Sequence, residues 1–336
     1  KKAFYQFNSC LMEPWDGPAS IPFTDGDYIG ALLDRNGLRP SRYSVTHDGY
    51  VIMSSETGVV DIEPENIKIH GRLEPGKMFL VNMNEGRIVE DDEIKNSIVK
   101  KYPYSKWVKS NILPLSKIPY RVKKSPKEKL NFETRLKVFG YTKEDFKTII
   151  LPMCNNGKEA IGSMGTDTPL AVLSKKPQLI YNYFKQLFAQ VTNPPLDGIR
   201  EEIITDTSLS LGSDYNIFDL IPHHAKKLKI NNPIISNDDL EKIKYIDHED
   251  FKACSINANY EISKGHNGLE KALDNIVDKV EKKVDTNHNI IILSDRKTSK
   301  KKCSYTYFIS LLICPSQSNK KEQTFKIWNR YWICWT

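Results

Sequence analysis

The chain has 336 residues, of which 39% are hydrophobic and 27% are charged, and its formal net charge is +7. This length predicts about two domains, and no apolar run reaches the roughly 20 residues of a membrane-spanning helix. The charge does not indicate a nucleic-acid partner, because residues 297–336 contain eight basic residues and one acidic residue, whereas residues 1–296 contain 41 of each. We therefore expect neither nucleic acid nor a membrane as a partner.

The cysteines do not indicate a metal centre. Half of the six cysteines follow Arg296, and no pair has the C-x-x-C spacing of a zinc or iron–sulfur site. Cys10, Cys154 and Cys254 are predicted to be buried thiols of a reducing compartment. Because the first residues also lack the apolar segment of a secretory signal, we expect the protein to be cytoplasmic, with a plastid as the alternative.

From Phe23 to Val89 the chain has the pattern of short antiparallel strands. Tyr28–Leu33 is an apolar run that predicts a strand, and two later turns that end in Gly49 and Gly86 predict hairpins. An acidic first turn and apolar residues at helical spacing then predict a helix over Asp91–Tyr102. The four hairpin strands are predicted at Tyr43–Thr46, Tyr50–Met53, Met78–Met83 and Arg87–Val89.

Asp34–Pro40, with the sequence DRNGLRP, is the most specific local motif. Gly37 follows Asn36 and supplies the conformational freedom that a tight turn needs, and Pro40 fixes the direction in which the chain leaves. We interpret the segment as a corner between two strands.

Residues 111–135 contain three prolines, a basic run and few bulky groups for a core, so they predict a linker or a domain-crossing segment. After this segment, apolar residues recur at helical spacing. Thr142 is a candidate N-cap for the first helix, and Pro177 lies in the first turn of the second. The three predicted helices are Thr142–Leu151, Pro177–Gln190 and Leu269–Val284.

Asn289–Leu293 is a continuous apolar run, which is typical of a buried parallel strand. Ser294, Asp295 and Arg296 follow it, at the strand end where α/β folds place ligand sites. The residues after Arg296 show no period and predict an irregular tail. His223 and His224 are adjacent and point apart in a helix or strand, so they do not favour a metal site.

Three segments together resemble the large subunit of glutamate synthase. They are collinear with that family and span nearly all of residues 3–296. The first contains MEPWDGPASIPFTDGDYIGALLDRNGLRPSRY and GRLEPGKMFLVNMNEGRIVEDDEIK, the second contains GKEAIGSMGTDTPLAVLSKKPQLIYNYFKQLFAQVTNPPLDGIREE, and the third ends in NIIILSDR.

The resemblance implies a fold that is α/β and α+β. Residues 1–110 look like the C-terminal part of the glutamine amidotransferase domain, with a partial Ntn-type αββα sheet. Residues 111–135 are then the linker, and residues 136–296 look like the central domain, built from βα repeats. Residues 297–336 are expected to be an aberrant or disordered tail.

Members of this family make two glutamate molecules from glutamine, 2-oxoglutarate and a reductant, with FMN and an iron–sulfur cluster. The resemblance also implies a small reductase subunit or domain, or ferredoxin, as a partner. Family members use an N-terminal cysteine as the glutaminase nucleophile, whereas residue 1 here is Lys1. We predict that this nucleophile is absent, that Cys10 does not replace it, and that no cofactor or metal is bound by this chain.

Two groups of site residues follow from the resemblance. Asn36, Gly37 and Arg39 are predicted to support the glutaminase pocket, and the alternative is that Arg39 pairs with a carboxylate and only holds the corner. Asn193, Pro194 and Asp197, beyond the second predicted helix, are predicted to lie at an interdomain contact or on the ammonia path.

We expect a partial glutamate synthase that is inactive alone. A change of reading frame near Lys297–Cys303 would explain the tail, and a lineage-specific end is the alternative explanation. A non-catalytic interaction module derived from the same enzyme is the alternative function.

Overall fold

A computed structural model describes residues 1–12, 17–120, 131–161, 170–176, 178, 180–184, 196–304 and 331–335. Within these residues, no helix is long and apolar enough to cross a bilayer. The chain divides into two compact units. The first contains Lys1–Ile112, Ile199–Asp206 and Tyr215–Lys227, and the second contains Leu113–Gly198, Thr207–Asp214 and Leu228–Thr336.

The first unit contains a four-stranded antiparallel sheet. Ala31 and Leu33 are 1% and 2% exposed and Leu32 between them is less buried, because every second side chain faces the core. The strands confirm the predicted strand and second hairpin to within one residue. They are β1 (Ser20–Thr24), β2 (Tyr28–Leu33), β6 (Met78–Asn82) and β7 (Arg87–Val89), in the order β1-β2-β6-β7.

A second antiparallel sheet, here called the three-stranded sheet, packs on the first. It confirms the other predicted hairpin. The Tyr43 ring lies 4.6 Å from the Phe79 ring of the first sheet, measured between centroids. The same ring lies over Gly71, where a Cβ atom would collide with it. The strands are β3 (Arg42–Thr46), β4 (Val51–Ser54) and β5 (Ile67–Arg72), in the order β4-β3-β5.

Three helices complete the described core of the first unit: α1 (Lys2–Asn8), α2 (Asp91–Lys100) and α3 (Tyr104–Asn111). Helix α2 confirms the helix predicted over Asp91–Tyr102. Phe7 of α1 is fully buried, with ring centroids 5.3 Å from Tyr104 and 5.2 Å from Trp107 of α3. Aromatic packing therefore holds α1 to α3.

The second unit contains a parallel sheet built from β11 (Ala253–Asn257), β13 (Ile290–Ser294) and β15 (Tyr331–Trp335), in the order β11-β13-β15. Helix α10 (Gly265–Asp285) packs on one face and α9 (Asn237–Lys244) on the other. Ile290 to Leu293 are at most 1% exposed, since both faces of β13 are covered. The predicted third helix and buried strand are confirmed.

A further small sheet joins β8 (Leu113–Pro114), β9 (Leu209–Leu211) and β10 (Leu228–Ile230), in the order β8-β10-β9. Leu115 and Ile118, which follow β8, are each 7% exposed and belong to the core that contains Leu228. The segment was predicted to have few bulky groups for a core, and these two residues are core residues within it.

The predicted helix from Thr142 is confirmed and is longer than expected. It comprises α5 (Lys143–Asp145), a π-helical turn (Phe146–Ile150) and α6 (Leu151–Asn156). Thr142 and Asp145 form a reciprocal capping box. The wider turn precedes Pro152, which has no N–H for the helical ladder. The remaining helices are α4 (Phe132–Val138), α7 (Ile180–Tyr183) and α8 (Gly198–Ile204).

Three expectations need correction. A helix was predicted over Pro177–Gln190, and the described residues of this range show only α7. Tyr183 and Phe184 belong to the predicted apolar stripe, but both are exposed. Most of the remaining range lies outside the described residues. Cys154 is exposed. The region predicted to be an irregular tail contains two strands, β14 (Lys302–Ser304) and β15. Strand β14 pairs with β12 (Asn259–Glu261), and this pairing gives hydrogen-bond partners to backbone N–H and C=O groups of both strands.

Candidate functional site

The carboxylate of Asp34 organises the corner between β2 and β3. Asp34 Oδ2 accepts hydrogen bonds from the backbone N–H groups of Asn36 at 2.9 Å and Gly37 at 3.1 Å. Its Oδ1 accepts from the backbone N–H of Ala19 at 3.2 Å, and its backbone carbonyl accepts from Gly76 at 3.1 Å. Asp34 thus ties the corner to two distant segments, to Ala19 through its side chain and to Gly76 through its backbone carbonyl.

Gly37 has the backbone conformation that the corner requires. Its φ is +59°, in the left-handed region that favours glycine. A Cβ atom at this position would lie 2.6 Å from Cγ of Pro75. Both the turn and the close approach of Pro75 therefore exclude a side chain at residue 37.

Asn36 and Arg39 are both exposed. Among the described residues, no carboxylate pairs with the Arg39 guanidinium, and the Asn36 side chain makes no hydrogen bond. Their polar groups are available to a ligand or to another part of a larger protein.

A cavity of about 480 Å³ lies beside the corner, inside the first unit. Asp34, Arg35 and Gly76 line it on the corner side, whereas Asn36 and Arg39 do not. Its other walls are mostly apolar and come from α1, α2, β1 and β2, with Phe4, Ile21, Leu32, Ile98 and Val99 among them. The combination of an apolar wall with a few polar groups is typical of a small-molecule site.

Sequence reasoning did not single out Asp34. An aspartate shortly before an Asn-Gly pair favours an Asx turn, in which the carboxylate accepts the following backbone N–H groups. That local signal predicts the bonds to Asn36 and Gly37. The bond to Ala19 depends on the pairing of β1 with β2, and only the structure shows it.

None of the described cysteines has the environment of an activated nucleophile. Burial raises the pKa of the Cys254 thiol to about 11, although the nearby Lys283 opposes this, and burial also raises the pKa of Cys303. Cys10 is 4% exposed, and its Sγ donates to the Gln6 carbonyl at 3.5 Å. Cys154 is exposed. A nucleophilic cysteine needs a lowered pKa and access to substrate, whereas Cys254 and Cys303 have raised pKa values and Cys10 is buried.

The other predicted positions are placed as follows. Asn193 and Pro194 lie outside the described residues, and Asp197 is exposed immediately before α8. His224 is 1% exposed, and its Nε2 donates to the Asp219 carbonyl at 2.8 Å, whereas His223 is exposed. In the part of the chain that the structure describes, no three His, Cys, Asp or Glu side chains group to hold a metal ion, so this part does not fit an iron–sulfur cluster.

The comparisons with known proteins identify both regions of the chain. Residues 1–107 match the model of class-II glutamine amidotransferases, and residues 134–316 match that of the glutamate synthase central domain. The NADPH glutamate synthase large chain of Bacillus subtilis is 44% identical over 90% of this chain and 19% of its own length. The NADH glutamate synthase of Schizosaccharomyces pombe is 40% identical over 89% and 15%, and ferredoxin-dependent glutamate synthase 2 of Synechocystis is 40% identical over 87% and 19%.

The chain therefore combines a class-II amidotransferase region with a central domain. It belongs to the glutamate synthase family, which confirms the resemblance found in the sequence. It spans less than a fifth of the length of these three relatives. The central-domain match runs to residue 316, beyond the Arg296 at which sequence reasoning ended the resemblance.

Proposed function

We propose that the chain is part of a glutamate synthase large subunit, an enzyme that converts glutamine, 2-oxoglutarate and a reductant into two glutamate molecules. The observation that carries the proposal is the collinear match of both domains, at 44% identity to the Bacillus subtilis large chain over 90% of this chain. The relatives include NADPH-, NADH- and ferredoxin-dependent enzymes. A reductase subunit or domain, or ferredoxin, is accordingly the proposed electron-donating partner. We place the protein in the cytoplasm, with a plastid as the alternative.

Within this enzyme, Asn36, Gly37 and Arg39 support the glutaminase pocket. Asp34 fixes the backbone of the corner through Gly37, and the corner presents the exposed side chains of Asn36 and Arg39. Asn193, Pro194 and Asp197 are proposed to lie at an interdomain contact or on the ammonia path. FMN and the iron–sulfur cluster are proposed to bind to parts of the full enzyme other than these 336 residues.

The 336 residues alone are proposed to catalyse neither the hydrolysis of glutamine nor the reductive amination of 2-oxoglutarate. The described thiols support this, because partial burial raises the pKa of Cys254 and Cys303 and glutamine hydrolysis by this family needs an activated thiol. Release of ammonia from glutamine is measured with the purified chain and with a matched blank. Ammonia above the blank would overturn this part of the proposal.

A chimeric enzyme tests the function itself. Residues 1–316 of this chain replace the aligned segment of the Bacillus subtilis large chain, and glutamate formation from glutamine and 2-oxoglutarate is measured. We expect activity above that of an enzyme in which the segment is deleted. Asn36→Ala and Arg39→Ala in the chimera should lower ammonia release, whereas Asp27→Ala, on an exposed turn of the same sheet, should not. An inactive chimera that is folded and loaded with its cofactors would contradict the proposal.

The second candidate is a non-catalytic interaction module. It is favoured by the buried cores that each unit has of its own, around Phe7 in the first unit and around Ile291 in the second. Size-exclusion chromatography and urea unfolding of the isolated chain distinguish the candidates. A monodisperse chain that unfolds cooperatively, together with an inactive chimera, favours the module.

A further inference from the structure

The outer face of the three-stranded sheet carries a cluster of basic and hydroxyl side chains. Arg42 of β3 is the direct cross-strand neighbour of Arg72 on β5 and of Ser54 on β4. Two pairs further along, and therefore on the same face, Ser44 is the neighbour of His70. Successive side chains of a strand alternate between faces, and Tyr43, Val51 and Met53 occupy the inner face. The cluster therefore points away from the core.

Arg42 and Arg72 present an electrostatic problem. Both are exposed, and among the described residues neither forms an ion pair. Like charges at directly opposed cross-strand positions destabilise a sheet. An anion bound between the two guanidinium groups would remove this repulsion, and guanidinium groups match the planar geometry of oxyanions.

The second row of the cluster adds a hydrogen-bond donor. Ser44 Oγ lies 2.9 Å from His70 Nδ1. If the serine hydroxyl donates, the imidazole carries its hydrogen on Nε2; if Nδ1–H donates, the serine hydroxyl hydrogen is released. In either case the pair keeps one N–H or O–H group for a ligand.

A cavity of about 180 Å³ opens on this face. Arg42, Ser44, Ser54 and His70 line it from the sheet together with Ile52 and Ile67, and the segment from Glu56 to Ile62 lines it from the other side. Arg72 is not part of this lining and lies next to it as the cross-strand neighbour of Arg42. Glu56 and Asp61 on that segment are exposed and form no ion pair with Arg42. Their negative charge disfavours a multiply charged anion, so the cavity suits a small group with a single negative charge.

We propose that the face formed by Arg42, Ser44, His70 and Arg72 is a binding site for a small oxyanion, either a carboxylate or a phosphate group. The two guanidinium groups hold the anion, and the Ser44–His70 pair donates the further hydrogen bond. Because Glu56 and Asp61 lie across the cavity, a carboxylate binds more tightly than phosphate. The site is separate from the corner at Asp34 and does not depend on the proposed glutamate synthase activity.

The test uses the full 336-residue chain with sodium acetate and sodium phosphate, at an ionic strength held constant with sodium chloride. Binding is followed by the shift of the unfolding temperature and by the imidazole NMR signals of His70. Arg42→Gln and Arg72→Gln should each weaken binding by roughly three- to tenfold, as expected for the loss of one charge-assisted contact. Lys68→Gln, which removes one exposed positive charge from the same strand as Arg72, should leave binding unchanged.

A second readout does not require a measurable affinity. Arg72→Gln should raise the unfolding temperature in chloride alone, because it removes the opposed charge, and the gain should shrink as acetate is added. Saturation by acetate, alone or at a lower concentration than phosphate, supports a carboxylate site, whereas saturation by phosphate alone contradicts the stated preference for a carboxylate. The proposal is overturned if the shift of the His70 NMR signals reaches no plateau with either anion. It is also overturned if Lys68→Gln weakens binding as much as the arginine variants.

Discussion

Asp34 Oδ2 accepts a hydrogen bond from the backbone N–H of Gly37 at 3.1 Å, so the side chain that begins the corner also fixes its tightest residue. Asp34→Ala should lower the free energy of unfolding by about 1–3 kcal/mol, because three backbone N–H groups lose a charged acceptor. Asp34→Asn keeps one oxygen acceptor and should cost less. Urea unfolding of both variants gives the values. Asp27→Ala, on the exposed turn before β2, is the control and should be nearly neutral; an equal loss there would show that the corner bonds are not the cause.

Gly37 and Gly86 separate the cost of backbone strain from the cost of a collision. Both have positive φ, at +59° and +63°, but a Cβ at Gly86 meets nothing within 4 Å, whereas one at Gly37 meets Pro75. Gly86→Ala should cost about 1 kcal/mol from strain alone. Gly37→Ala should cost more, roughly 2–4 kcal/mol, when strain and overpacking are combined. Equal costs in thermal or urea unfolding would mean that Pro75 moves aside freely.

Asp91 should make stability depend on pH in the acid range. Partial burial raises the pKa of its carboxyl, but the ammonium of Lys95 at 2.7 Å and the backbone N–H of Met78 at 2.9 Å together lower it below the ordinary value. The native state therefore favours the carboxylate. Its contribution is complete above the unfolded pKa of about 4 and is lost as the pH falls through the lower native pKa.

The variant Asp91→Asn measures this contribution. The difference in unfolding free energy between the native chain and the variant should be largest at neutral pH and should shrink below pH about 4. Asp92→Asn serves as the matched control, since Asp92 is exposed and its only described ion pair is a 3.4 Å contact with Lys1. A pH-independent difference for Asp91→Asn would contradict the assigned shift.

The cysteines should react with iodoacetamide in an order set by exposure and pKa. Cys154 is exposed, whereas Cys10 is buried and burial raises the pKa of Cys254 to about 11. Each unit by which the pKa of Cys254 is raised lowers its thiolate fraction about tenfold, and burial shields Cys10 from the reagent. Cys154 should therefore be alkylated at least about tenfold faster than either at pH 8. Peptide mass spectrometry gives the rates, and urea should make them converge. Faster labelling of Cys10 than of Cys154 would also weaken the proposal that the chain alone does not hydrolyse glutamine.

The elements that the sequence predicts well have strong local signals. Strand β2 and helix α10 follow from an apolar run and a helical stripe, and both occur where they were predicted. The buried strand β13 follows from four consecutive large apolar residues, which are typical of a strand covered on both faces.

What the sequence does not predict depends on strand register and on distant contacts. A shift of one residue between β3 and β5 would place Arg72 on the inner face, so the Arg42–Arg72 pair could not be inferred from composition. The bond from Ala19 to Asp34 and the packing of Phe7 between Tyr104 and Trp107 likewise join residues that no local pattern connects. The predicted positions Asn36 and Arg39 lie on the corner, but the cavity beside it is lined by Asp34 and Arg35.

The Tyr43 ring lies against Gly71 so closely that residue 71 has no room for a side chain. The two positions are direct cross-strand neighbours, and the same ring also packs against Phe79. A larger residue at 71 would displace the aromatic ring from the sheet interface, whereas a smaller residue at 43 would make room for it. We expect the two positions to covary among glutamate synthases, with glycine retained at 71 wherever an aromatic residue occupies 43.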